Sequence, residues 1–283
     1  MKATLTFRHA LSLLAGLLLI QVCNAQTPAR SYSEVYFHKI KPGHTMQEAL
    51  AIEREWKKLH QAQLDDNHIT GWYILSKALS SNPDQGEYDY ITIKTFSDMG
   101  NFQNAYPAKY NTKVYGSEAT KKWDDLIKRT DLIQEHGKLE IWETVDGIFS
   151  EKMTSPALAP IWVIDLMKVK DTRVNEYMAL ESSIKDVHKE RIAMNNIMGW
   201  TVAGLMLPLG SEKGYNFATI NYFPSTKEIA DQKYVEAYKK VQPNGDVQKM
   251  ANQIYDTREL VRQEMYTLLD FVSKNATAQT AAK

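Results

Sequence analysis

From Val35 to Lys41 the chain is a run of strand formers that stops at Pro42-Gly43, a turn signal. Thr45 then offers an N-cap with Glu48 three residues on, the capping-box spacing. Apolar residues at Ala49, Ile52, Trp56 and Leu59 keep the rhythm of one helix face, which predicts a helix to about Asp65 or Asp66. Ile69 to Leu79 reads as a second strand opened by Gly71-Trp72, and residues 80–86 read as a loop by composition. Tyr88 to Ile93 alternates and is rich in β formers, a third strand. A helical region follows from Ser97 to about Glu135, interrupted at Pro107, with a stripe through Trp123, Leu126, Ile127, Thr130 and Ile133. Lys138 to Val145 alternates again and closes the unit as a fourth strand.

The same order then repeats. Glu48, Ala51, Glu53, Lys57, His60, Ile69, Gly71 and Trp72 recur as Glu176, Ala179, Glu181, Lys185, His188, Ile197, Gly199 and Trp200, all at an offset of 128 residues. An ungapped match of this length points to a duplicated domain. The second copy predicts a strand over 161–170, a helix over 173–195, a strand opening at Gly199-Trp200, and a strand at Tyr215–Ile220 that matches Tyr88–Ile93. Two helical pieces flank Pro243-Asn244-Gly245, and a last strand runs from Glu264 to Val272. The domain reading is therefore unit 1 over residues 31–147, a Ser/Pro-bearing linker over 148–159, unit 2 over 160–273, and a small-residue polar tail over 274–283 that composition predicts to be disordered.

A β-α-β-β-α-β unit is the ferredoxin-like arrangement, an antiparallel sheet with helices on one face. Here Tyr88, Tyr90, Ile91 and Ile93 put large side chains on both faces of the sheet, so the bare face needs a second cover. The other copy can supply it, sheet against sheet, about a pseudo-twofold. The expected fold class is thus α+β, a tandem duplication of the ferredoxin-like unit packed as a pseudo-dimer within a monomer. The element order, the amphipathic first helix and the Gly-Trp opening of the second strand resemble the dimeric α+β barrel superfamily, which includes the NIPSNAP-like, EthD-like and antibiotic-biosynthesis-monooxygenase-like domains. The resemblance covers about 230 residues and implies two such units fused in tandem. That superfamily spans cofactor-free monooxygenases, cyclases, isomerases and haem enzymes. No motif from any of them matches residue by residue, so the resemblance carries over no catalytic residue.

The first 25 residues read as a secretory signal peptide: Lys2 and Arg8, an apolar run from Leu11 to Ile20, and Ala25 at the cut site. The rival reading, a lipid anchor at Cys23, has Val22 where a small residue is wanted. Cleavage after Ala25 makes the mature chain periplasmic or extracellular and removes the single cysteine, so no disulfide or thiolate chemistry is expected of it. It also leaves 32 basic against 34 acidic residues, a net of about −2. That balance, without blocks of like charge, argues against a nucleic-acid partner, and the mature chain has no apolar run of membrane-spanning length.

The candidate chemistry rests on what the duplication kept. His60 and His188 each follow a Glu and a Lys on one helix stripe, and could be general acid–base groups or plain helix-flank residues. Trp72 and Trp200 read either as core or as an aromatic wall for a flat ligand. Tyr106 and Tyr110 recur as Tyr234 and Tyr238, either packing pairs or hydroxyls at a pocket mouth. Tyr90 and His38, on strands, complete the ligand-binding candidates. His38 is answered by Met167, and Tyr36 by Asp165, so any two pockets are not equivalent. No metal-ligand spacing, phosphate loop or nucleophile elbow is present, and no metal or cofactor is expected. Two function classes follow. One is a cofactor-independent enzyme acting on a small apolar or aromatic molecule through His and Tyr. The other is a protein that binds such a molecule without transforming it, with a ligand-free structural role behind both.

Overall fold

A computed structural model describes residues 31–81, 87–104, 106, 108–210 and 212–274. The segment read as a signal peptide, most of the 80–86 loop and all but the first residue of the tail lie outside the described residues.

The first half runs β1 (Ser31–Ile40), α1 (Met46–Asp65), β2 (Gly71–Ser80), β3 (Tyr90–Phe96), α2 (Ala108–Tyr115), α3 (Ala119–Ile133) and β4 (Gln134–Phe149). The second runs β5 (Ile161–Lys168), α4 (Val174–Ala193), β6 (Gly199–Leu207), β7 (Phe217–Phe223), a short α5 (Thr226–Ala230), α6 (Tyr234–Val241), α7 (Val247–Thr257) and β8 (Glu259–Ser273). The Thr45 side chain accepts from the Glu48 backbone N–H and the Glu48 carboxylate accepts from Thr45 in return, so α1 starts on the expected capping box. β4 and β8 are longer than the alternating pattern suggests. β4 continues to Phe149, into the stretch read as linker, because its second edge is paired along that length.

Around the barrel the strands run β1-β3-β2-β8-β5-β7-β6-β4, closed and antiparallel throughout. Each half contributes the ferredoxin-like order 4-1-3-2. The two sheets face each other across a lumen and also join edge to edge, β2 to β8 and β4 to β6. Corresponding strands lie four places apart in an alternating ring, so they point the same way and the pseudo-twofold runs along the barrel axis.

Side-chain alternation gives the strands a lumen-facing and a helix-facing side. In β1 and β3, Val35, Phe37, Ile91 and Ile93 face the lumen, while Glu34, His38, Tyr90 and Lys94 face the helices. Val35, Phe37, Leu75, Ile91, Trp142, Trp162, Ile164 and Tyr266 belong to the lumen core. Trp72, Ile74 and Phe96 form an outer core with α1, and Trp200, Val202 and Phe223 form its counterpart in the second half.

The second half alone would expose the β6 and β8 edges and its share of the lumen face. A fragment of residues 160–273 is expected to homodimerise or aggregate, read by light scattering after size exclusion; a stable monomer would show that the seams are not needed.

Candidate functional site

The lumen holds a cavity of about 230 Å³. Its wall is largely apolar, including Phe37, Ile91, Trp142, Trp162, Ile164 and Ala218. The room comes from small residues in the second half. Ala203 stands where the first half has Leu75, and Ala218 where it has Ile91, side by side on β6 and β7.

One end is rimmed by half-exposed Ser31, Ser33, Thr144, Phe149 and Ser273. The other end is a buried polar floor. Glu140 on β4 and Glu264 on β8 occupy corresponding places, opposite Val35 and Ile164 respectively, and are 0% and 2% exposed. Each carboxylate is held by a tyrosine from the other half: Tyr215 donates to Glu140 at 2.6 Å, and the Tyr88 hydroxyl lies 2.6 Å from both oxygens of Glu264. Trp142 Nε1 donates to Glu140 at 3.1 Å, and Tyr266, two residues past Glu264, donates to that carboxylate at 2.6 Å. Lys138 and Lys213 pair with Glu140, and Arg262 with Glu264 and Glu87. Burial, then the adjacent carboxylates, pushes the Tyr88 and Tyr215 hydroxyls well above the ordinary tyrosine range, so they stay protonated and donate. Burial, with Tyr88 and Glu264 beside it, does the same for Tyr266.

None of the ten residues singled out in the sequence lines this cavity. His38, Trp72, Tyr90 and Trp200 lie on the outer faces of their strands, and the other six lie on or beside the helices that cover those faces. His60 stacks on Trp72 with ring centroids 4.7 Å apart, and His188 on Trp200 at 4.5 Å. Tyr106 covers His60 and the Lys94 ammonium, and Tyr234 covers His188 and the Arg191 guanidinium. His38 stacks on Tyr90 at 4.5 Å and bonds Thr92. Tyr110 packs near His68, and Tyr238 reaches Gln242. For the strand residues the reason is parity: Trp72 and Trp200 sit one residue out of phase with lumen-facing Tyr73 and Thr201. The floor residues carry a sequence signal of their own. Lys138-Leu139-Glu140-Ile141-Trp142 and Arg262-Gln263-Glu264-Met265-Tyr266 both read basic-x-Glu-x-aromatic, at an offset of 124 rather than 128 because the helical region is shorter in the second half.

The outer layer is polar as well as aromatic. In the first half Glu34 and Lys94 form a buried pair at 3.1 Å, and Glu53 accepts from Tyr90 at 2.8 Å and Gln134 at 3.2 Å. Burial raises the Glu53 carboxyl to about 7 against those two bonds. Burial, then the nearby Lys94, holds His60 well below the ordinary 6.5; burial, then Arg191, does so for His188. Arg191 donates to His188 Nδ1 at 3.1 Å, so that ring is neutral with its proton on Nε2. Among the described residues no group of three or more His, Cys, Asp or Glu side chains is placed to hold a metal ion.

Below pH 6.5 the unfolded chain protonates both histidines and the folded one does not, so their contribution to stability is lost as pH falls from 6.5 toward 5. Glu53 acts in the opposite sense, its contribution being lost as pH rises through about 7, but it is common to wild type and variant. Urea midpoints should therefore fall less steeply over that interval in a His60→Gln/His188→Gln protein than in wild type; parallel lines would refute the shifts. Lys94→Met leaves Glu34 buried without its cation and should cost ~3–5 kcal/mol, most of it restored by adding Glu34→Gln, as a double-mutant cycle would read.

No family model matches the chain, and no curated protein matches it in sequence. Solved structures are similar to it. A proposed monooxygenase of Lactobacillus acidophilus NCFM aligns over 87% of this chain and 97% of its own, with a TM-score of 0.52 at 11% identity. An anthrone oxidase-like protein aligns over 88% and 95%, with a TM-score of 0.48 at 9% identity. A chlorite dismutase of Candidatus Nitrospira defluvii aligns over 85% and 91%, with a TM-score of 0.45 at 10% identity. Identities this low speak to architecture alone, and the architecture is that of the dimeric α+β barrels, with both units carried on one chain.

Proposed function

We propose that the mature chain, exported by its N-terminal segment and acting as a monomeric pseudo-dimer, holds a small, mostly apolar or aromatic molecule in the barrel lumen. The observation that carries this reading is the cavity itself. An apolar cavity of ~150 Å³ takes up benzene, and this one, at about 230 Å³, has room for two fused rings. Well-packed interiors do not leave such space by default. Here it follows from Ala203 and Ala218 standing in for the larger residues of the first half. The aromatic walls of Trp142 and Trp162 suit a flat ligand.

Binding is favoured over proton transfer by histidine because His60 and His188 face away from the lumen, each capped by its own tryptophan and tyrosine. Native mass spectrometry of protein purified from its source is expected to show a retained small molecule that is released on unfolding. Ala203→Leu/Ala218→Ile, which restores the first half's residues, should abolish retention and raise stability by ~0.5–2 kcal/mol as a filled void. A wild-type mass equal to the bare polypeptide, together with no gain in stability from the filled variant, would sink the reading.

A further inference from the structure

Resting on that reading, we infer that the lumen selects a ligand whose inner end is a hydrogen-bond donor, a hydroxyl or a protonated amine, and rejects one that ends in a carboxylate or another anion. The selectivity comes from what the floor leaves unused. Glu140 and Glu264 are the charged side chains on the cavity wall among the described residues. The cations that pair with them, Lys138, Lys213 and Arg262, are not part of that wall and stand behind it.

The polar hydrogens at the floor are already committed. The Trp142 N–H points to Glu140, and the Tyr266 O–H to Glu264. Tyr215 and Tyr88, from behind, donate to the same two carboxylates, and Ser80 adds a bond of 3.2 Å to Glu264. A phenol has one proton and an indole N–H has one, so neither residue has a second to offer. What still faces the lumen is acceptor capacity at two atoms: Glu140 Oε2, which among the described residues accepts from Trp142 alone, and the Tyr266 oxygen, since Glu264 is already taken by Tyr88, Tyr266, Ser80 and Arg262. An incoming donor finds an acceptor without disturbing any bond already made. An incoming anion finds two carboxylates and no free donor, and must either lose its hydration uncompensated or strip a carboxylate of its tyrosine. The rim differs, since its serine and threonine hydroxyls can turn to donate or accept. The ligand is therefore held with its donor inward and its apolar body along the walls.

The test is a matched set of bicyclic probes titrated calorimetrically into the full mature chain: naphthalene, 2-naphthol, 2-naphthylmethylamine as its ammonium, and 2-naphthoate. A hydrogen bond to a charged acceptor implies that the naphthol, the ammonium or both bind at least about tenfold more tightly than naphthalene, and that naphthoate binds at least about tenfold more weakly than the better of them. Which of the two donors wins tells a hydroxyl ligand from an amine ligand. Glu264→Gln places amide hydrogens at the floor. If it melts cooperatively, it should shrink the gap between donor probes and naphthoate by about tenfold. Equal affinities across the four wild-type titrations, naphthoate as the tightest probe, or an unchanged gap in a folded Glu264→Gln protein would each overturn the inference while leaving a ligand-binding lumen in place. Failure of all four probes to bind would bring down both.

Discussion

Closure at two seams is the constraint on which the rest of this structure depends. An isolated four-stranded ferredoxin-like sheet has two free edges and one bare face. Pairing β2 with β8 and β4 with β6 satisfies both edges of both sheets at once and turns the two bare faces toward a common interior. Burial of the lumen aromatics Phe37, Trp142, Trp162 and Tyr266 follows from that. So does the length of β4 and β8, which carry register shifts where they bend between neighbours in different halves. The crossed Tyr88–Glu264 and Tyr215–Glu140 contacts lie on the same principle, each half completing the hydrogen bonding of the other's buried acid.

Much of this was legible in the sequence. The offset of 128 between the two first helices, the capping box at Thr45 and the alternation of Tyr88–Ile93 are local signals, and they place most elements to within a few residues. The need for a second cover over the sheet also follows from residues on both strand faces. The site was less legible, for a physical reason. Whether a strand residue faces lumen or helix is one bit of parity, and sequence alone fixes only relative parity within a strand. Trp72, Trp200, His38 and Tyr90 are as large as the residues that line the cavity, but they stand on the other side of the sheet. Glu140 and Glu264, in phase with Trp142 and Tyr266, looked like ordinary strand polarity because nothing local tells a buried carboxylate from a solvated one. The tyrosines that hold them from behind, Tyr215 and Tyr88, arrive from the opposite half of the chain.

The two faces of the sheets handle polarity differently. Beneath the helices, buried acids and bases meet aromatic rings at van der Waals distance: Lys94 over Tyr106, Arg191 over Tyr234, and His60 and His188 on their tryptophans. There the charged groups are packed against rings and hydrogen-bonded to one another. In the lumen the charged groups are gathered at one end and hydroxyls at the other, with a largely apolar wall between them. A retained histidine, the most conspicuous polar feature of the duplicated helices, thus belongs to the packed layer rather than to the hollow one.

The departures from twofold symmetry inside the barrel have a stereochemical consequence. A pocket on a true twofold axis presents the same surroundings after a half turn, so a planar guest would settle equally well in two rotational poses. Here Trp142 stands opposite Tyr266, and Ala203 and Ala218 stand opposite Leu75 and Ile91. The hollow is therefore lopsided: a flat guest would have one best azimuth about the axis, and its two faces would meet different walls. Fusing the two units into one chain is what makes this possible, since a barrel of two identical subunits has no means of distinguishing its left side from its right.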